Sequence, residues 1–354
     1  MPKVLFVNTT RQCNVDCPRC YLTPEHRAAA ERLSPARLKR ILDHPFWGAS
    51  PLVIFQGGEP SILGESSLSD LSDAVLASQP GAVITMVTNL LNMPDWLVAF
   101  ARERFDNQIE TTYALGAKHL LNGDSQGYQE RFRNSLGKAI SAGIRCPVNV
   151  ELNHETTSRH ASDILNIARE TGATQWEFDI SIQFDRFRMA PLFAAGRYPM
   201  LPLSIPYAEF AGYIHALSDA VEHECMQEHF SSSLLADADE RAARAAFNVQ
   251  READFLTINP DGTVTTNPLF SDIAQTYLGN IDDGLDAILN HPNRLARIEW
   301  EQQRLAGCSG CQHLRHCKGG PSHAPVFDGS GECAGLRTVW SRINKRSGLY
   351  GAQA

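Results

Sequence analysis

The sequence predicts an α/β fold: six strand–helix units forming an incomplete parallel barrel, followed by a small cysteine-rich C-terminal unit. Three observations carry that expectation. Short apolar runs alternate with longer amphipathic stretches through the first half of the chain, and alternation with crossovers of that length implies parallel pairing. Seven of the nine cysteines fall in two groups, at positions 13, 17 and 20 and at 308, 311, 317 and 333. A length of 354 residues is enough for one large core and a satellite domain.

The strand-like runs are residues 4–8, 52–56, 83–88, 108–113, 148–153 and 175–183, and helical patterns between them include 35–43, 68–77, 128–142 and 160–171. Six units predict a partial (β/α)6 TIM-like barrel over residues 1–185 rather than a full eight-fold one. Residues 186–250 read as an irregular, partly helical elaboration, with prolines at 191, 199, 202 and 206. Residues 251–354 form the expected C-terminal domain. It opens on a hairpin: Leu256-Thr257-Ile258, a turn at Asn259-Pro260-Asp261-Gly262, then Thr263-Val264-Thr265. Helices at 285–289 and 294–305 lead into the last cysteines.

Composition narrows the function. The net charge is −8 with no sustained basic run, so no nucleic-acid partner is expected. No stretch approaches 18 uncharged apolar residues, so no membrane span is expected. The N-terminal apolar run is too short for a secretory segment, which points to the cytoplasm. Thiols stay reduced there, and grouped cysteines then usually mean metal.

Cys13, Cys17 and Cys20 have the spacing C-x3-C-x2-C immediately after the first strand. Three thiolates on one loop can hold three irons of a [4Fe–4S] cluster and leave the fourth iron open. An open iron can chelate the amino and carboxylate groups of S-adenosylmethionine, and one electron into the sulfonium releases a 5′-deoxyadenosyl radical. The second strand runs into Gln56-Gly57-Gly58-Glu59-Pro60, and the third ends in Val87-Thr88-Asn89. In order and at strand ends, these motifs resemble the radical S-adenosylmethionine superfamily. The resemblance implies that Gly57, Gly58, Glu59, Pro60 and Asn89 bind the cofactor, with the glycines permitting close backbone approach and Glu59 accepting from the methionine ammonium. Arg19, where an aromatic residue often precedes the third cysteine, is a departure; Tyr21 follows instead. The alternative from the residues alone is a zinc half-site with His26 as a further ligand.

Cys308, Cys311, Cys317 and Cys333 have the spacing C-x2-C-x5-C-x15-C, enough thiolates for a complete [4Fe–4S] cluster. The group, the hairpin and Leu278-Gly279-Asn280-Ile281 resemble the C-terminal SPASM extension of many radical enzymes. The full extension carries two auxiliary clusters. This chain lacks the cysteines one of them needs, within Thr265–Pro268 and at Pro321, so one auxiliary cluster is expected. A zinc knuckle is the alternative, with His313, His316 and His323 available as substitutes.

The reacting end should carry the polar face of the barrel. Asn149, Glu151 and Asn153 alternate along the fifth strand, and Glu177, Asp179, Ser181 and Gln183 along the sixth; helices should cover the apolar set. Glu151, Glu177 and Asp179 are therefore the candidate catalytic carboxylates. In the fourth strand either Glu110 and Thr112 or Thr111 and Tyr113 face inward. An aspartate that many relatives have near Leu115-Gly116 is missing.

The leading expectation is oxidation or cross-linking of a peptide or small molecule, with the auxiliary cluster accepting an electron and a carboxylate a proton. One alternative is redox-neutral epimerisation, with Cys225 or Cys146 as hydrogen donor. The other is a nonenzymatic zinc-binding interaction protein. The resemblance implies a flavodoxin- or ferredoxin-type electron donor, and leaves room for a separate peptide-recognition protein.

Overall fold

A computed structural model describes residues 3–182, 201–236 and 251–346. Its strands, in chain order, are β1 (Val4–Thr10), β2 (Val15–Asp16), β3 (Leu52–Gly57), β4 (Val83–Thr88), β5 (Glu110–Tyr113), β6 (His119–Leu120), β7 (Val148–Leu152), β8 (Trp176–Ile180), β9 (Phe255–Ile258), β10 (Thr263–Thr265) and β11 (Gly279–Asn280). Nine of them form one sheet in the order β11-β10-β9-β1-β3-β4-β5-β7-β8, while β2 and β6 pair with each other. The six strands expected from the sequence are present as consecutive parallel neighbours from β1 to β8. Gln183, Pro191 and Pro199 lie outside the described residues.

The alternation of side chains explains which face meets the helices. Leu5, Val7, Val53, Phe55, Met86, Val148, Val150, Leu152, Trp176 and Phe178 are buried in one continuous core. The helix Ser162–Thr171 adds Ile164, Leu165, Ile167 and Ala168 to it, at the i, i+1, i+3, i+4 spacing of an amphipathic face. The opposite face of the sheet changes across its width. On β9, β1, β3 and β4, Val4, Ile54 and Phe255 pack with Phe6, Leu52 and Val87. On β5, β7 and β8 it turns polar. Thr112 is in register with Asn149, Asn149 with Glu177, and Glu151 with Asp179, so these groups share that face. This resolves β5: Glu110 and Thr112 face the polar side, while Tyr113 packs on Phe132 of the helix Ser125–Ser141.

The hairpin of β9 and β10 is built as the sequence suggests, with Gly262 at φ +87° donating its N–H to the Asn259 carbonyl at 2.9 Å. Glycine suits that left-handed position. Its placement was not legible: β9 pairs in parallel with β1, Val4 opposite Phe255 through Val7 opposite Ile258, so the hairpin extends the main sheet. Among the described residues no helix is long and apolar enough to cross a membrane.

A buried acid pair lies behind the hairpin. Glu252 and Glu301 are both nearly inaccessible, and the Glu252 N–H donates to Glu301 Oε2 at 3.1 Å. Burial and then the neighbouring Glu252 charge push the Glu301 carboxyl up to about 8. The folded state therefore holds a proton that the unfolded chain releases near pH 4.5. That contribution is fully present below the unfolded value and is lost as pH rises through about 8, with a slope of up to about 1.4 kcal/mol per pH unit. Glu301→Gln is expected to flatten the fall in stability across this window, measured by denaturant unfolding at several pH values. An unchanged slope would show that Glu301 is ionised when folded.

Candidate functional site

The site forms where β1, β3, β4, β5, β7 and β8 end. After β1 the chain enters the cysteine loop, and its backbone crosses the end of β3 at close range. The Gly58 N–H donates to Thr10 O at 2.9 Å and the Glu59 N–H to Gln12 O at 2.8 Å. A Cβ on Gly57 would sit 2.2 Å from Thr10 O, and one on Gly58 would sit 2.0 Å from Gln12 O. The close approach that these glycines serve here is thus to the chain entering the cysteine loop. The loop is pinned further along by the β2–β6 ladder, Val15 opposite Leu120 and Asp16 opposite His119. Tyr21 donates to the Gly57 carbonyl at 3.0 Å, which occupies its hydroxyl.

Charged groups from distant segments fix both ends of the loop. Arg11, buried, donates to Glu31 at 2.9 Å and to Asp261 through both terminal nitrogens at 3.1 Å. The Thr23 N–H donates to Asp272 at 2.6 Å, and His26 pairs with the same carboxylate.

Glu59 has no solvent exposure. One oxygen accepts from the Thr88 hydroxyl at 2.9 Å and the Ser61 N–H at 3.0 Å, and the other from the Asn89 N–H at 2.7 Å. The Asn89 amide in turn donates to Asn14 at 2.8 Å and to Cys13 Sγ at 3.8 Å. Pro60, buried, begins the short helical turn Pro60–Leu63 that Glu59 caps. One carboxylate thus ties the end of β3 to the end of β4, and through Asn89 to the first cysteine. Glu59→Gln would place an NH2 group against at least one of these N–H donors. We expect a stability loss of roughly 1–3 kcal/mol, read as a lower thermal midpoint. An unchanged midpoint would limit Glu59 to ligand contact.

Cys13, Cys17 and Cys20 are partly buried. Burial first, then the charge of Glu59, pushes the Cys13 thiol up to about 11. Burial likewise carries Cys17 up to about 12, against the opposing pull of Lys118. Such thiols become thiolates only when a bound cation compensates their desolvation. Three soft sulfur donors on one loop fit iron–sulfur ligation.

The face beyond the loop carries the predicted carboxylates. Asn149 donates to Asp179 at 2.7 Å. Glu151 is raised by burial, with Lys118 and Arg19 opposing and Asp179 adding to the shift. Lys118, which donates to the Thr112 carbonyl, thus stands electrostatically between Glu151 and the thiols of Cys13 and Cys17. Sequence reasoning missed it, because an isolated lysine after a strand carries no pattern. Glu177 is otherwise engaged: it accepts from the Ser233 hydroxyl at 2.6 Å and the Ser233 N–H at 3.3 Å. Asn153 caps the helix His154–Thr157.

Cys308, Cys311, Cys317 and Cys333 line one cavity of about 420 Å³, together with His313, Phe327 and Trp340. A Cβ on Gly335 would sit 2.0 Å from Cys317 Sγ and 3.9 Å from Cys333 Sγ, so glycine there keeps two of the thiols exposed to that space. His313 lines the cavity but stacks on Trp340 and lies 3.2 Å from the Ser341 hydroxyl. His316 accepts from Arg315 at 2.7 Å. His323 is outside the cavity lining, and burial drives its imidazole down to about 3. Among the described residues no three His, Cys, Asp or Glu side chains form a group able to hold a single metal ion; the four thiols surround a volume.

Cys146 and Cys225 lie elsewhere. Cys146 is buried before the start of β7, with Glu110 at the start of β5 as its charged neighbour. Cys225 is exposed. The preceding Glu224 pairs with Arg169 near the end of the helix Ser162–Thr171, which leads into the start of β8. Both cysteines sit at the end of the sheet opposite the site.

No family model and no curated protein matches the chain. Solved structures do. Native anSMEcpe with bound AdoMet is 13% identical over 98% of both chains, with a TM-score of 0.72. The same protein with bound AdoMet and the Cp18Cys peptide is 14% identical over 99% of this chain and 97% of that one, at 0.74. Streptococcus suis SuiB bound to the precursor peptide SuiA is 14% identical over 93% of this chain and 75% of its own, at 0.61. The likeness shows that this chain has their fold, including the large parallel sheet.

Proposed function

We propose that the chain is a radical S-adenosylmethionine enzyme with one auxiliary cluster, which oxidises or cross-links a peptide substrate. The observation that carries this reading is the unit made by Gly58, Glu59, Asn89 and Cys13, which joins three strand ends around the cysteine loop. Solved structures of this fold hold AdoMet, and anSMEcpe and SuiB have each been solved with a peptide bound, which favours a peptide over a small molecule. In this reading residues 1–185 form the partial barrel, 186–250 its elaboration and 251–354 the auxiliary unit.

Cys13, Cys17 and Cys20 would hold the first cluster, and Cys308, Cys311, Cys317 and Cys333 the second. When bound, the first cluster with S-adenosylmethionine supplies reductive cleavage of the sulfonium and hydrogen abstraction from the substrate. The chain's own residues do the rest. Gly57, Gly58, Glu59, Pro60 and Asn89 fix the cofactor-facing rim. Asp179, oriented by Asn149, stands ready to take a proton from substrate. Glu151 keeps its proton more readily, because burial and Asp179 both oppose its ionisation. Glu177 holds residue 233 in place. A flavodoxin- or ferredoxin-type donor would supply the reducing electron.

The placement of Cys146 and Cys225 weighs against epimerisation, since neither thiol reaches the polar strand ends. The engagement of His316 by Arg315 weighs against that histidine as a zinc ligand. Anaerobic reconstitution, iron and zinc analysis, and an assay for 5′-deoxyadenosine with a chemical reductant test the proposal. Stoichiometric zinc with no nucleoside release would overturn it.

A further inference from the structure

Two cations held against the cysteine loop, Arg27 and Lys118, differ in how their charge is offset. Arg27 donates to Asp16 at 2.7 Å and to the Val15 carbonyl at 3.4 Å, so a carboxylate of the loop itself cancels its charge. Lys118 comes from another part of the chain. In the antiparallel β2–β6 ladder Val15 stands opposite Leu120 and Asp16 opposite His119. The next residues along the two strands are Cys17 and Lys118, so the ladder delivers this lysine to the second cysteine of the loop. Arg19, within the loop, is exposed and reaches the Ser204 hydroxyl at 3.4 Å, where water screens it more strongly.

The segment carrying Lys118 is held on several sides. The Leu120 N–H donates to the Asp124 carbonyl at 3.0 Å, and His119 lies 3.1 Å from the Gly116 carbonyl. A Cβ on Gly116 would run into the Glu155 carboxylate. Lys118 itself donates to the Thr112 carbonyl, a neutral acceptor that leaves the ammonium charge in place. Its field reaches both Cys13 and Cys17, and on Cys17 it is the largest influence after burial. Burial raises the Glu151 carboxyl that shares this field, so Glu151 offsets the lysine less than an exposed carboxylate would. A fixed cation beside a half-buried redox group favours the form that carries one more electron.

Resting on the enzyme reading above, we infer that Lys118 is a positioning residue for the reducing step, its charge raising the reduction potential of the cluster that Cys13, Cys17 and Cys20 would hold. In that step one electron passes from the reductant to the cluster, whose net charge falls by one unit. No bond or proton of the chain changes.

The test is an anaerobic dithionite titration of the reconstituted protein, followed by electron paramagnetic resonance without S-adenosylmethionine and then repeated with it. The wave missing from protein carrying Cys13→Ala, Cys17→Ala and Cys20→Ala together belongs to the first cluster. Lys118→Gln keeps a donor for Thr112 without the charge, Lys118→Met removes both, and Lys118→Arg keeps the charge. Both neutral variants are expected to make reduction of the first cluster at least ~10-fold less favourable, about 59 mV lower for one electron. Lys118→Arg should stay within about 3-fold of wild type, and the auxiliary wave should move in none of them. An unmoved first wave with full iron would overturn the inference and leave the enzyme reading standing. So would a shift confined to Lys118→Met, which would trace the effect to the hydrogen bond, or a shift seen only with S-adenosylmethionine present. Loss of the first cluster's iron from both neutral variants would also overturn it, by making the lysine a requirement for cluster binding. Wild-type protein without iron refutes the enzyme reading itself.

Discussion

Replacing Cys13, Cys17 and Cys20 together by Ala is expected to halve the iron of anaerobically reconstituted protein, from about eight atoms to about four, and to abolish 5′-deoxyadenosine release. The attribution is clean because the loop is held mainly by other groups. The Glu59–Gln12 backbone bond, the β2–β6 ladder, Arg27 on Asp16 at 2.7 Å and Thr23 on Asp272 all survive the substitution. What is lost within the protein includes the Asn89 and Val15 N–H contacts to Cys13 Sγ and the Leu22 N–H contact to Cys20 Sγ at 3.4 Å. Loss of such weak sulfur contacts should cost the fold about 1–2 kcal/mol. A folded triple variant that still cleaves S-adenosylmethionine, or that retains all its iron, would remove the basis for the proposed function.

Six parallel strands were legible because each is a short apolar or alternating run between turn residues, and the register follows from which face the helices cover. The cysteine loop and the Gly-Gly-Glu-Pro turn were legible as motifs. Their physical roles were only partly so. Spacing cannot show that Gly57 and Gly58 make room for Thr10 and Gln12, or that both Glu59 oxygens brace Thr88, Ser61 and Asn89. The parallel union of β9 with β1 joins segments about 250 residues apart, and nothing local encodes it. Lys118 and Asp272 escaped for the same reason: each acts through a neighbour supplied by another part of the chain. Glu177 shows the converse, a residue on the right face of the right strand whose carboxylate a serine from a later segment occupies.

The double variant Cys308→Ala with Cys311→Ala separates oxidation from epimerisation. Cleavage of S-adenosylmethionine is expected to persist, since the first cysteine loop is untouched, while product formation falls by orders of magnitude because the substrate's remaining electron has no outlet. These two positions are chosen because Cys311 is exposed and Cys308 only partly buried, whereas Cys317 is buried against Gly335 and its loss would open a cavity. A metal site that also staples its surroundings can still fail through instability, so Cys225→Ala serves as the control: it removes an exposed thiol and no proposed ligand. Oxidation predicts near-normal product from the control and no solvent deuterium at the reacting carbon. Epimerisation by Cys225 predicts lost product, with cofactor cleavage and iron content intact. The position of Cys225 beyond the start of β8 makes the first outcome the expected one, and the second would require the oxidative mechanism to be abandoned.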